Sequence, residues 1–332
     1  MRKDVRVVVP AFRAECTIRR CIDAIVRASV GMNTEIVVID DGENPNLSDI
    51  LADVPVNIRQ TGRSGSAAFA RNYGAKDFKA GAIVFVDADV VIAPTTLRMM
   101  VSPLEERRAH AVVGNYSQDV RGLNFASKYK QLYISRVYDR RSGYLKNDFW
   151  TAIGAIDAKV FHAAGGFDAS FAGACGEDGE FGVLLTRAGH KILGLPYAVG
   201  QHLHRLSMKG LVLNDWRKGN IALRNHANSR GPLSDNKHAT PRDVASVALA
   251  ITTVCSLAFL PTNLAAVIPI SLAAYYVARA DVMARFWTQG LWFSVRAFWV
   301  MLFLDLVRSA CVAASHLAAR DRTAIAKEAH HV

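Results

Sequence analysis

Two aspartates that follow an apolar segment are the residues of this sequence whose spacing most clearly points to chemistry. Residues 82–86 read Ala-Ile-Val-Phe-Val and lead into Asp87-Ala88-Asp89. In a strand, residues i and i+2 point to the same face, so the two carboxylates would lie side by side where the strand leaves the core. Paired hard oxygen ligands suit a divalent cation such as Mg²⁺ or Mn²⁺. A polar strand end that leads into a turn is the alternative at this stage.

A second acidic group follows an earlier apolar run. Asp40-Asp41-Gly42 comes directly after residues 35–39. Alone, it has the composition of an ordinary turn. It also places two more carboxylates at the end of a predicted strand, which strengthens the case for a site at that edge of a sheet.

Glu177, Asp178 and Glu180 form a third acidic group, in which like charges repel one another. A site that needs a carboxylate as general base would accept this cost. A helix N-terminus also favours acids, and residues 177–187 have the pattern of a helix. The two interpretations are compatible.

A glycine-rich turn and a pair of histidines complete the candidate residues. The turn, residues 62–66, precedes a predicted helix on which Arg71 offers a cation to phosphate groups. The spacing is neither a P-loop nor a dinucleotide fingerprint, and a plain loop and helix is the alternative. His202 and His204 share a face of a short predicted strand, and one of them could complete a metal site begun by the aspartates.

The elements that must position these residues alternate between strand and helix patterns. Strands are predicted at 5–9, 35–39, 56–59, 82–86 and 197–200, and helices at 16–27, 66–78, from Pro94 onwards and at 177–187. This alternation predicts an α/β domain with a mostly parallel sheet, whose strand carboxyl ends bind ligands. Residues 125–146 mix aromatic and basic side chains. Both a membrane-interface helix and a surface helix packed on the sheet remain open for them.

The C-terminal part is far more apolar than the rest of this chain of 332 residues. Residues 244–278 contain no charged residue or histidine, and residues 286–304 contain only Arg296. Such stretches predict membrane segments, and Pro261-Thr262-Asn263 predicts a tight helical hairpin. The predicted organisation is a catalytic domain at 1–225, a basic juxtamembrane linker at 226–243, a membrane segment of two or three helices at 244–318 and a polar tail at 319–332.

The formal net charge of +11 is compatible with nucleic acid or with an anionic membrane surface. The apolar C-terminus favours the membrane, and several cations lie just before it, as expected for a cytoplasmic domain. The N-terminus lacks a signal-peptide pattern. The five cysteines show no CxxC pairing, which favours free thiols in a reducing compartment. We therefore expect the catalytic part on the cytoplasmic face of the inner membrane.

A series of short motifs stands in a characteristic order. The motifs are Val7-Val8-Val9-Pro10-Ala11-Phe12, Asp40-Asp41-Gly42, Ala70-Arg71-Asn72-Tyr73-Gly74, Asp87-Ala88-Asp89, Gly165-Gly166-Phe167-Asp168, Glu177-Asp178 and His202. In this order they resemble the family 2 glycosyltransferases of the GT-A fold, over roughly residues 5 to 225. The C-terminal part resembles the membrane-anchored branch of that family, which includes polyprenyl-phosphate glycosyltransferases.

The resemblance implies a role for each matching residue. Donor-binding residues would be Pro10, Phe12, Asp40, Asp41, Arg71 and Asp87, with the first four near the nucleotide base and ribose. Asp87 and Asp89 would hold Mg²⁺ or Mn²⁺ on the donor diphosphate, with His202 as a third ligand. Asp178 would be the catalytic base of an inverting transfer.

One departure from the family narrows the expected activity. Processive polysaccharide synthases carry Gln-x-x-Arg-Trp after the base, whereas residues 212–218 read Val-Leu-Asn-Asp-Trp-Arg-Lys. A single transfer is therefore favoured over polymer synthesis. The expected enzyme is metal-dependent and hexosyltransferase-like, with a lipid or lipid-linked acceptor, in cell-envelope polysaccharide or glycolipid biosynthesis. The alternatives are a non-catalytic membrane module that binds nucleotide sugars and, from net charge alone, a nucleic-acid-binding protein.

Overall fold

The computed structural model describes residues 4–42, 44–62, 65–139, 142–170, 176–217, 241–259 and 266–328. The chain divides into two units. The sheet unit comprises residues 1–123 and 131–205, and the helical unit comprises residues 124–130 and 206–332.

The sheet unit alternates strands and helices, as the sequence predicts. Its strands are β1 (Val5–Ala11), β2 (Thr34–Asp40), β3 (Asn57–Gln60), β4 (Ala82–Val86), β5 (Val90–Ile92), β6 (Ala111–Tyr116), β7 (Gly143–Leu145), β8 (Ile153–Asp157) and β9 (Ile192–His202). Its helices are α1 (Ile18–Ala28), α2 (Leu47–Ile50), α3 (Ala67–Ala75), α4 (Thr96–Glu105), α5 (Phe125–Asp139), α6 (Ala158–Ala163) and α7 (Glu177–Arg187). The residues of α5 up to Lys130 belong to the helical unit. Within the predicted helical segment 125–146, helix α5 ends at Asp139 and strand β7 follows it.

The sheet is mixed, and the expectation of a mostly parallel sheet is wrong. Within the described residues the strand order is β3-β2-β1-β4-β8-β6-β9-β5, with β7 paired to β9. The pairs among β1 to β4 are parallel, as is β6 with β9. Strand β8 is antiparallel to both of its neighbours, β4 and β6. Local periodicity identifies a strand but carries no information about its direction, which is why the sequence could not show this.

Helices cover both faces of the sheet because its central strands are apolar on both sides. On one face, Val7 and Val84 pack with Ile18 and Ile22 of α1. On the other face, Val8, Ile83 and Phe85 pack with residues of α3, α6 and α7. Residues one apart on β1 thus enter different cores, as the period of two of a strand requires. The sheet edge between the two layers is where the polar strand ends emerge.

The helical unit contains residues 208–217 (α8), α9 (Pro241–Ser256), a short 3₁₀ turn (Leu257–Phe259), α10 (Val267–Ala278), α11 (Ala280–Trp287) and α12 (Leu291–Glu328). Among the described helices, none alone has the length and hydropathy of a membrane span. Helices α10 and α11, which meet at a bend of 78°, reach that length and hydropathy only when taken together. The predicted turn at Pro261-Thr262-Asn263, and most of the predicted linker 226–243, lie outside the described residues.

Charged side chains form a chain of ion pairs in the interior of the helical unit. Asp305 is fully buried and accepts hydrogen bonds from Tyr275 at 2.8 Å, Arg279 at 2.7 Å and Arg308 at 2.6 Å. Arg308 and Lys130 also both donate to Asp215, at 2.5 Å. Arg279 additionally pairs with Asp243. Buried charges are tolerated only when paired and hydrogen-bonded, so within the helical unit these ion pairs hold Lys130 and the helices α8, α9, α10 and α12 in defined positions.

Two glycines of α7 provide a matched test of how this helix packs. A Cβ at Gly182 would lie 2.5 Å from the backbone nitrogen of Phe149 and 2.8 Å from that of Asp148, whereas one at Gly179 would meet no atom within 4 Å. Gly182→Ala should lower the free energy of unfolding by about 1–3 kcal/mol, because backbone atoms must move. Gly179→Ala should raise it by up to about 1 kcal/mol through helix propensity. Urea unfolding of both variants checks this, and equal effects would contradict the packing.

Candidate functional site

Three neighbouring strands bring most of the predicted site residues to one edge of the sheet. Strands β2, β1 and β4 are adjacent and parallel, so their carboxyl ends lie together. Pro10 and Phe12 come from the end of β1, Asp40 and Asp41 from β2, and Asp87 and Asp89 from β4. The predicted convergence of these motifs at one edge is therefore present in the fold.

The two aspartates at the end of β2 organise the loops beside them. Asp40 is buried, and its Oδ1 accepts hydrogen bonds from the backbone N–H groups of Gly42 and Asn44, both at 3.3 Å, and from the Asn44 side chain. This carboxylate closes the turn that the sequence suggested. Its predicted part in donor binding stays a prediction.

Asp41 ties the end of β2 to the start of α3. One carboxylate oxygen accepts from the Thr61 hydroxyl at 2.6 Å, and the other accepts from the N–H groups of Gly65 at 3.1 Å and Ser66 at 3.0 Å. Ser66 in turn caps α3 by accepting from the N–H of Phe69. The glycine-rich turn is thus held by an acid, and Arg63 and Ser64 lie outside the described residues.

Phe12 presents an exposed aromatic ring at the same edge. The ring is 49% exposed and lies against Gly42, where a Cβ would come within 2.7 Å of it. The guanidinium of Arg13 lies 5.3 Å from the ring centroid, and Arg13 has a positive φ of 50°. An exposed aromatic ring can stack on a planar heterocycle, and the predicted place of Phe12 near the nucleotide base stays a prediction.

Arg71 is a buried cation that bonds to two acids from different elements. It is 3% exposed and donates to Glu177 Oε1 and to Asp87 Oδ1, both at 2.8 Å. Burial acts to lower the pKa of Arg71, but the charges of Asp87, Glu177 and Asp178 outweigh it and raise the pKa above its usual value. Arg71 therefore stays a cation and joins α3, β4 and α7.

Asp89 and His202 meet across the sheet. Strand β5 pairs with β9 so that Val90 lies opposite His202, and His202 Nε2 comes 3.1 Å from Asp89 Oδ2. Burial acts to raise the pKa of Asp89, but the hydrogen bond to His202 and the charges of His202 and His204 hold it below the usual value. The His202 ring also stacks on Tyr116, with centroids 5.0 Å apart. Asp89 and His202 therefore lie close together, and their predicted binding of a cation stays a prediction.

The predicted metal ligands do not all converge in this structure. Among the described residues, no three His, Cys, Asp or Glu side chains are arranged to hold a metal ion, and Asp87 is engaged by Arg71. The donor set still fits Mg²⁺ or Mn²⁺, because such ions take one or two carboxylates and complete their shell with substrate phosphates. Asp87 and Asp89 are 32% and 30% exposed, which leaves their carboxylates accessible to such a ligand.

The acidic cluster of α7 separates into three different environments. Glu177 is buried and bound to Arg71, Asp178 is half-buried and accepts from the Gly179 N–H at 2.7 Å, and Glu180 is exposed. All three lie in the first turn, after Gly176 with a φ of 96°. The cluster therefore begins a helix, as one interpretation expected, and the role of Asp178 as a general base stays a prediction. The sequence analysis named Glu177 in the acidic group but gave it no role of its own, because the pattern did not show that this acid is buried and paired with Arg71.

Asn72 was also not assigned a role from the sequence. Its side chain donates to the carbonyl of Phe167 at 2.7 Å and accepts from the Phe167 N–H at 2.9 Å. Gly166 makes room for it, since a Cβ there would lie 2.7 Å from Asn72 Oδ1. Phe167 packs in a cluster of rings with Phe85, Phe149, Phe161 and Phe181. Consecutive residues of α3 therefore hold two different parts of the site.

Comparison with known proteins identifies relatives of part of the chain. Residues 6–163 match the family model described as Glycosyl transferase family 2. Glycosyltransferase GlyA of Streptococcus pneumoniae serotype 4 is 28% identical over 146 residues, which are 42% of this chain and 20% of that protein. The match thus spans about a fifth of the relative's length.

A solved structure extends the likeness in fold. The mannosyltransferase PcManGT from Pyrobaculum calidifontis, in complex with GDP-Man and Mn²⁺, superposes with a TM-score of 0.57 at 16% identity. The superposition covers 94% of this chain and 87% of that one. The fold is therefore an α/β fold of the GT-A type, with a mixed sheet flanked by helices.

The paired hydrogen bonds of Asn72 can be tested directly. Asn72→Ala should lower the free energy of unfolding by about 1–3 kcal/mol, because it leaves the backbone N–H and carbonyl of Phe167 without partners. Asn57→Ala is the control, since Asn57 is exposed on edge strand β3 and should change stability by less than about 0.5 kcal/mol. Chemical denaturation measures both. Equal midpoints for Asn72→Ala and the unaltered chain would contradict the link.

Proposed function

We propose that this chain, whose residues 6–163 belong to glycosyl transferase family 2, moves one sugar from a nucleotide-sugar donor to a lipid or lipid-linked acceptor with inversion. The observation that carries the proposal is the Arg71 group, which consists of Arg71, Asp87 and Glu177. Its two hydrogen bonds of 2.8 Å bring Asp87, at the end of β4, next to the helix of Asp178. Transfer requires groups that bind the donor and, next to them, a carboxylate that can remove a proton from the acceptor.

The donor would lie across the carboxyl ends of β1, β2 and β4. Phe12 offers a stacking face for the base, while Pro10, Asp40 and Asp41 border the same edge. Asp87, Asp89 and His202 would hold Mg²⁺ or Mn²⁺ against the diphosphate. The bound cation would neutralise the charge that develops on the leaving nucleoside diphosphate. The PcManGT complex with GDP-Man and Mn²⁺ supports the proposal that a divalent cation accompanies a nucleotide sugar in this fold.

Asp178 would act as the general base. The acceptor hydroxyl attacks the anomeric carbon in line with the leaving group, the bond to the diphosphate breaks, and the hydroxyl proton passes to the Asp178 carboxylate. Such attack inverts the anomeric configuration. An anionic phosphate acceptor needs no such proton transfer, so the contribution of Asp178 distinguishes the two acceptor types.

The helical unit supports a membrane location. Its interior contains the ion pairs of Asp305 and Arg279, whereas its surface exposes large apolar side chains. These include Ile270, Val277, Trp287, Leu291, Trp292, Trp299 and Phe303. Water favours the reverse distribution, while a bilayer favours apolar surfaces, buried polar groups and aromatic side chains at its interface. We infer that this unit contacts lipid on the cytoplasmic side of the inner membrane, where a lipid-linked acceptor would be available.

Asp178→Asn tests the base. Once a thermal-shift screen of UDP-, GDP- and dTDP-sugars with Mn²⁺ has identified the donor, the variant should lose about 10²–10⁴-fold in transfer to a lipid-linked sugar hydroxyl. It should lose much less with polyprenyl phosphate, and donor binding should persist. Glu180→Gln, an exposed acid of the same helical turn, is the control and should retain full activity. Undiminished transfer by Asp178→Asn to both acceptors would reject the assignment, and absence of transfer by the unaltered chain to any acceptor would favour a non-catalytic binding module.

Trp292→Glu tests the lipid contact. Trp292 is 84% exposed in the helical unit, and Val30 is 81% exposed in the sheet unit. Trp292→Glu should reduce the fraction of protein that floats with anionic liposomes by roughly tenfold, because an apolar side chain is replaced by a charge. Val30→Glu should leave flotation unchanged. If the two variants behaved alike, the lipid contact would not lie on this face.

A further inference from the structure

Glu177 occupies a position that the catalytic proposal leaves unexplained. Its side chain is 3% exposed and bonds to Arg71 through Oε1, while Oε2 is buried without a hydrogen-bond partner in the described structure. Arg71 Nε is likewise buried and unpartnered there. Burying a carboxylate that accepts a hydrogen bond through only one of its oxygens costs free energy, because the desolvation of its charge is only partly offset.

Packing alone does not require this charge. Glutamine has the same shape, offers the same carbonyl oxygen to Arg71 Nη1 and would bury no net charge. The presence of a carboxylate therefore points to an electrostatic role.

The charge balance around Arg71 indicates what that role is. Asp87 and Glu177 carry one negative charge each and share the single positive charge of Arg71, so the group keeps one net negative charge beside Asp89. If Glu177 were neutral, the guanidinium 2.8 Å from Asp87 would compensate Asp87 alone. The edge of the sheet would then attract a divalent cation less strongly, since Coulomb energies at this separation are substantial near a protein surface.

We propose that Glu177 is a positioning residue. Its carboxylate offsets part of the positive charge of Arg71, so that Asp87 keeps the negative charge it needs to bind the donor's divalent cation. Glu177 and Asp178 are consecutive on α7, so the same contact holds the N-terminal turn that carries the base. The guanidinium of Arg71 thereby couples donor binding at the end of β4 to the position of the base on α7. This inference rests on the proposed function, since it concerns the same donor site.

The test is Mn²⁺ binding to the full chain, measured without turnover. Free Mn²⁺ is followed by its electron paramagnetic resonance signal in the presence of the nucleoside diphosphate whose sugar nucleotide is the donor. Glu177→Gln should raise the dissociation constant for Mn²⁺ about tenfold, while circular dichroism and the unliganded melting temperature stay close to those of the unaltered chain. Glu180→Gln, which removes an exposed charge from the same turn, should change the constant less than twofold.

Glu177→Asp separates charge from shape. It keeps the carboxylate but shortens the side chain, so it should bind Mn²⁺ more tightly than Glu177→Gln if charge is the important property. A role in packing alone predicts the reverse order, because glutamine preserves the shape. Unaltered Mn²⁺ affinity in Glu177→Gln, or weaker binding in Glu177→Asp than in Glu177→Gln, would overturn the proposal. Failure of the unaltered chain to bind Mn²⁺ with any nucleoside diphosphate would instead reject the metal-dependent function itself, and this inference with it.

Discussion

The arrangement of the site depends on one buried guanidinium held between two carboxylates. Arg71 reaches Asp87 at the end of β4 and Glu177 at the start of α7, and the three groups come from segments far apart in the chain. A buried cation must be neutralised locally, so these segments cannot be placed independently. The acids that would handle the donor and the acid that would handle the acceptor are consequently parts of one electrostatic unit.

Other residues of the sheet unit hold the helix that carries Arg71 against the sheet and its loops. Gly74 allows α3 to approach the sheet closely, since a Cβ there would lie 2.5 Å from Val8 Cγ1. Asn72 fixes the loop at Phe167, and Asp41 fixes the loop that begins α3. The start and an interior position of the helix that carries Arg71 are therefore restrained, which fixes the helix on either side of Arg71.

Local patterns in the sequence were sufficient for part of this account. Strand Ala82–Val86 and helix Glu177–Arg187 have their predicted bounds, and the acids of β2 and β4 lie at one edge because adjacent parallel strands end together. The antiparallel course of β8 and the pairing that brings His202 to Asp89 depend on contacts between distant segments. The hydrogen bonds between Arg71 and carboxylates also depend on such contacts, whereas the sequence suggested that Arg71 contacts phosphate groups. Periodicity and motif spacing contain no information of that kind. The predicted membrane segment stays a prediction, supported by the polarity of the helical unit.

The central claim is a cation site at Asp87, Asp89 and His202, beside an Arg71 group that stays intact. Crystals of the full chain grown with Mn²⁺ and the nucleoside diphosphate of the donor, measured at the manganese absorption edge, test this most directly. We predict an anomalous peak beside the diphosphate and close to Asp87, Asp89 and His202, with Arg71 still bound to Glu177. A manganese peak away from the end of β4, or one that contacts neither Asp87 nor Asp89, would contradict it.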